Sequence, residues 1–113
     1  MIVRSVIFFL FQKEKELSID LAKKLKGYVD IENIGLNNPH IDYSQYHNII
    51  FVSLYLESLS KMEELFKEKE IYGKNLYVIN DNVLKKRYIS SPFDVFDSKD
   101  MGKAAEKINK KFM

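Results

Sequence analysis

A run rich in apolar, β-branched and aromatic residues extends from Ile2 to Phe11, and such a run without alternation predicts a strand covered on both faces. The period then changes. Leu17, Leu21, Ala22 and Leu25 fall on one face between Lys13 and Lys26, with lysines and glutamates elsewhere and Gly27 as a helix-terminating residue. Tyr28–Ile34 alternates, carries acids at Asp30 and Glu32 and ends at Gly35, which predicts an outer strand. Asn37–Gln45, with Pro39 and two asparagines, reads as a loop with at most one short turn.

A second buried run, Asn48–Leu56, is expected to neighbour the first strand. Ser60-Lys61-Met62-Glu63 has the pattern of a capping box, with Met62, Leu65 and Phe66 on the buried face of the helix it would open, ending before Gly73. Asn75–Asn80 is a third apolar strand, after which Asp81 and Asn82 are placed to cap a short turn through Val83 and Leu84. A brief strand at Phe93–Phe96 precedes a helix from about Lys99, with Met101, Ala104, Ala105, Ile108 and Phe112 on one face.

Buried strands alternating with amphipathic helices predict an α/β domain with a parallel sheet covered on both faces. A ferredoxin-like arrangement would also accommodate residues 1–80. It would leave alternate residues of each strand in water, and three wholly apolar strands do not suit that.

The 113 residues suit a single domain, and 46% hydrophobic with 30% charged residues suits an ordinary globular protein. The net charge of +2, from 18 basic and 16 acidic residues interspersed along the chain, speaks against nucleic-acid and membrane partners. With no cysteine, disulfides, thiol catalysis, thiolate metal sites and cysteine-linked phosphotransfer are excluded. The apolar run at Val6–Phe11 is too short for a signal peptide, meets charged residues directly, and leads to the expectation of a cytoplasmic protein.

The segment YSQYHNIIFVSLYLESLSKMEELFKEKEIYGKNLYVIN, Tyr43–Asn80, resembles the central third of flavodoxin-like domains, and FDVFDSKDMGKAAEKINKKF resembles their last strand and helix. The resemblance, which lies in hydrophobic pattern and element order, implies one three-layer, doubly wound domain over residues 1–113. Its parallel five-stranded sheet would have the order 2-1-3-4-5. It also implies two loops for flavin mononucleotide (FMN). The family's phosphate loop after strand one is rich in glycine and hydroxyls, whereas Gln12-Lys13-Glu14-Lys15-Glu16 has neither and adds two carboxylates. The loop after strand three, Ser53–Ser58, keeps a serine and Tyr55 but no glycine or proline. Receiver domains of the same winding need an acidic pair after strand one and an aspartate ending strand three, and neither is present.

In a wound sheet, ligands sit beyond the carboxyl ends of the strands where the winding reverses. That rule assigns Gln12, Lys13, Ser53, Tyr55, Ser58, Asn80 and Asn82 to any pocket, with Tyr55 able to stack on a planar ligand. Lys13 and Lys15, alternating with Glu14 and Glu16, read as a solvated helix start, and Lys85-Lys86-Arg87 beside Tyr88 reads as a solvated short helix. His40 and His47 lack a third metal ligand at a recognisable spacing, so no metal is expected. No nucleophile elbow, Walker loop or dinucleotide fingerprint is present.

The reading is a flavodoxin-like domain with a degenerate phosphate loop, a non-catalytic module that binds a ligand or a protein. The alternative is an FMN-binding electron carrier or flavin-dependent oxidoreductase that grips the ring through the loop after strand three. A third reading is a sensor of another nucleotide, or a homodimer built on the sheet edges at Tyr28–Ile34 and Phe93–Phe96.

Overall fold

In a computed structural model, residues 2–36, 42–68, 73–81 and 93–111 are described. The elements are β1 (Arg4–Phe9), α1 (Gln12–Lys24), β2 (Tyr28–Asn33), a 3-10 turn (Tyr43–Gln45), β3 (Asn48–Val52), α2 (Leu56–Glu68), β4 (Asn75–Asn80), β5 (Asp94–Asp97) and α3 (Met101–Lys110). All four strand pairings are parallel, and the order is β2-β1-β3-β4-β5, that of a flavodoxin-like doubly wound sheet. The turn expected at Asn82–Leu84, the cluster Lys85–Arg87 with Tyr88, His40 and Phe112 lie outside the described residues.

Strand pleating distributes the three apolar runs between two cores. On one face Val6, Phe8, Ile49, Phe51 and Val78 pack with Leu59 and Met62 of α2 and with Tyr43 and Tyr46. On the other, Ile7, Ile50, Val52, Tyr77 and Ile79 pack with Leu21 of α1 and with Ala104, Ala105 and Ile108 of α3. Alternate residues of one strand therefore serve opposite layers, which is why the runs show no polar alternation. The outer strand β2 is only partly buried, apart from its exposed first residue Tyr28, and one of its acids is accounted for. The Tyr46 hydroxyl donates to Asp30 at 2.6 Å.

A polar ladder crosses the central strands at the amino end of the sheet. Ser5, Asn48 and Asn75 are register partners on β1, β3 and β4. Asn48 donates to the Ser5 hydroxyl at 3.0 Å, and Asn75 donates to the Asn48 side-chain carbonyl at 3.2 Å. A slip of one residue would put these amides into apolar surroundings, so the ladder specifies register.

Four expected boundaries shift. The helix read from a capping box at Ser60–Glu63 begins at Leu56, so Ser60 is an exposed residue of its second turn. The first and second apolar runs stop pairing at Phe9 and Val52, short of Phe11 and Leu56, for a reason that appears at the carboxyl end of the sheet. Helix α1 ends at Lys24, before Gly27, and is closed by Asn109 of α3, which donates to the Lys24 carbonyl and accepts from Lys26 N–H, both at 3.0 Å.

Gly27 has φ of +86°, and a Cβ built on it would sit 2.1 Å from the Val3 carbonyl oxygen, which itself accepts from Tyr28 N–H. Gly27→Ala is expected to cost at least about 2 kcal/mol in urea unfolding. Gly102→Ala, in the first turn of α3 with open space around it, should be neutral or stabilising by up to about 1 kcal/mol.

Burial pushes the phenols of Tyr43 and Tyr77 up to about 12 from 10.0. Burial and the bond to Asp30 raise Tyr46 in the same direction. The folded chain therefore holds protons that the unfolded chain releases first. Their contribution to stability is complete below about pH 10 and is lost as pH climbs towards about 12. The urea midpoint should fall through that window, and a flat profile would contradict the burial of these rings.

Candidate functional site

The carboxyl ends of β1 and β3 meet at one side chain. Glu14, in the first turn of α1, is fully buried, with 0% exposure. Its Oε1 accepts from the backbone N–H of Leu10 at 3.0 Å and of Phe11 at 2.9 Å. Its Oε2 accepts from Leu54 N–H at 2.7 Å and lies 2.6 Å from the Ser58 hydroxyl. Three backbone donors and a hydroxyl, drawn from the turns after β1 and after β3, converge on one carboxylate.

The local reason begins with Phe11. It stands at the cap position of α1 with no side-chain oxygen to offer, so the helix start is satisfied from inside by Glu14 reaching back to Phe11 N–H. A carboxylate here also faces the positive end of the helix. Leu10 and Phe11 give their N–H groups to Glu14 instead of to a neighbouring strand, and Leu54 does the same after β3. That diversion ends β1 and β3 earlier than their hydrophobic runs.

The Ser58 hydroxyl also lies 2.9 Å from the Tyr55 carbonyl and accepts from Tyr55 N–H at 3.2 Å. Its single proton is shared between that carbonyl and the shorter contact to Glu14. Ser18, one turn below Glu14 and fully buried, donates to the Glu14 carbonyl at 2.8 Å.

The residues assigned from sequence divide into three groups. Gln12 and Lys13 are exposed on the first turn of α1. Ser53, Ser58 and Asn80 are buried together behind the Glu14 carboxylate, with Asn80 donating to the Ser53 carbonyl at 2.6 Å. Among the described residues, Ser53 Oγ and Asn80 Oδ1 have no hydrogen-bond partner. Tyr55 remains 42% exposed, its ring edge-on to Phe11 with centroids 5.1 Å apart. Asn82 lies outside the described residues.

The reading of Glu14 as part of a solvated helix start is corrected: Lys13, Lys15 and Glu16 are exposed, but Glu14 is the most deeply committed polar group of the site. The missed signal was a glutamate at the third helical position behind a cap residue without an oxygen. His47 sits at the opposite end of the sheet, where its Nδ1 accepts from Arg4 N–H at 3.0 Å. Among the described residues no group of three or more acidic, histidine or cysteine side chains could hold a metal ion. A surface pocket of about 320 Å³ lies between β5 and α3, lined by Val95, Phe96, Asp97, Asp100, Lys103 and Lys107, and includes no residue assigned from the sequence.

Glu14→Ala would strand three backbone donors in the interior, and a loss of about 3–5 kcal/mol in chemical denaturation is expected. Glu14→Gln keeps the shape but turns an amide N–H₂ towards one pair of donors, and should still cost about 2 kcal/mol. Glu16→Gln, on the exposed side of the same turn, should stay within about 0.5 kcal/mol of the parent.

Comparison of this chain with protein-family models, with curated proteins and with solved structures gave no match.

Proposed function

We propose that this chain is a flavodoxin-like, non-catalytic module that binds a ligand or a protein and does not carry FMN through a phosphate loop. One observation supports this reading above the others. At the turn where the family resemblance implies a flavin phosphate, the Leu10 and Phe11 backbone donors are already used by the carboxylate of Glu14. A phosphate dianion entering there would be repelled by the buried Glu14 carboxylate, with the Leu10 and Phe11 donors withdrawn. Neither glycine nor a hydroxyl in Gln12–Glu16 provides a second cradle.

A ligand would therefore be gripped from the β3 side. Tyr55, 42% exposed, offers an aromatic ring there, beside the buried Ser53 and Asn80 side chains. The same exposed ring supports the second reading, in which FMN is held by its ring alone and the chain transfers electrons.

Absorbance in the visible flavin band and FMN titration separate the two. The module should be colourless as purified, leave FMN fluorescence unquenched and keep its melting temperature when FMN is added. Yellow protein that releases FMN on denaturation would overturn the proposal. If Tyr55→Ala abolished such binding, the ring-grip reading would replace it.

A further inference from the structure

Charges that alternate along the chain separate in space at the opposite end of the sheet. In a wound fold the strand entries and the helix exits lie together, and here most of them carry a cation, although Asp94 opens β5 and Glu68 closes α2. Arg4 opens β1, Lys23 and Lys24 close α1, Lys26 leads into β2, Lys74 leads into β4, and Lys111 follows α3.

Contacts make these positions one surface. Asn109 ties Lys24 to Lys26 through their backbones, at 3.0 Å each. The Arg4 guanidinium lies over the Tyr28 ring, 5.9 Å from its centroid, and the Arg4 carbonyl accepts from His47 N–H at 2.8 Å. The His47 carbonyl in turn accepts from Asn75 N–H at 3.1 Å, and the Asn75 side-chain oxygen accepts from the Lys111 ammonium at 3.2 Å. Lys74 donates to the Ser44 carbonyl at 3.1 Å.

Of the acids described at this end, Asp94 is half-buried at the start of β5 and Asp20 is exposed one turn before Lys24, while two others are engaged. Asp42 accepts from Ser44, and Glu106 lies 3.7 Å from Lys110. Lys23, Lys24 and Lys26 are exposed with no side-chain partner among the described residues.

A bland account exists for part of this: lysines in a last helical turn complement the helix dipole. It covers Lys23, Lys24 and Lys111, the residue that caps the end of α3. Arg4, Lys26 and Lys74 stand at strand entries, where no helix terminus needs a cation, and a concentration of like charge destabilises the fold by self-repulsion. Beside them, Ile2 and Tyr28 are 61% and 62% exposed. Apolar and aromatic side chains inside a charged rim have the composition of a protein-docking surface.

We propose that this basic end of the sheet docks an acidic protein surface. Nucleic acid fits it less well. Five of the six cations are lysines, and the single guanidinium is already engaged over an aromatic ring, so the forked recognition that phosphates and base edges favour is not on offer. Ile2 has no counterpart on a phosphate backbone. The inference is independent of the Glu14 site, which lies at the other end of the strands.

Two-dimensional NMR titration of the intact chain with poly-L-glutamate, standing in for an acidic protein, tests it against a DNA duplex at equal charge concentration. Polyglutamate should shift amides around Arg4, Lys26, Lys74 and Lys111, with binding that weakens as salt rises. The triple change Lys26→Gln, Lys74→Gln and Lys111→Gln should weaken that binding by about tenfold or more while the melting temperature holds or rises. A fall in melting temperature with binding intact would show that the lysines serve the fold, and would overturn the proposal. Amide shifts spread evenly over the surface, or tighter binding of the duplex than of polyglutamate, would overturn it as well.

Discussion

Among the described residues, the bonds that converge on the Glu14 carboxylate tie together more elements than those of any other side chain. They take backbone donors at Leu10, Phe11 and Leu54 and so end two central strands. They also start α1 without a capping hydroxyl, and through Ser58 they hold the first turn of α2. Each donor is buried or half-buried, so the carboxylate cannot be withdrawn without leaving several unpaired groups together. At the end of the sheet where a wound fold usually receives a ligand, the turns after β1 and β3 are thereby joined by a carboxylate of the chain itself.

The central strands are tied at both ends by polar groups and between them by apolar ones. At the amino end the Ser5–Asn48–Asn75 ladder sets register. At the carboxyl end Glu14 joins the turns after β1 and β3, and Asn80 joins β4 to the chain leaving β3. The cores on the two faces are generic in composition and would tolerate a shifted strand better than these bonds would. Polar specificity inside an apolar frame thus accounts for a single arrangement.

Charge tells a related story at larger scale. Lysines and glutamates alternate in the helices, and the totals nearly cancel. Because every β-α unit returns to the same end of the sheet, residues near helix exits and strand entries gather there wherever they occur in sequence. Arg4 and Lys111 lie at opposite ends of the chain, yet one set of hydrogen bonds through His47 and Asn75 links them.

Hydrophobic period alone determined that strands covered on both faces lie within Ile2–Phe11, Asn48–Leu56 and Asn75–Asn80, and that amphipathic helices separate them, because burial on two faces and on one face leave different local patterns. The order 2-1-3-4-5, expected from the family resemblance, is the order found. Ser53, Ser58 and Asn80 were legible as neighbours because all three follow or end central strands. Glu14 was not, because its partners at positions 10, 11, 54 and 58 are mostly backbone N–H groups, which every non-proline residue carries and no residue name distinguishes. Only the pairing of β1 with β3 brings those donors to one point, and so only the tertiary structure decided that a charged residue of a polar helix turn is the buried centre of the site.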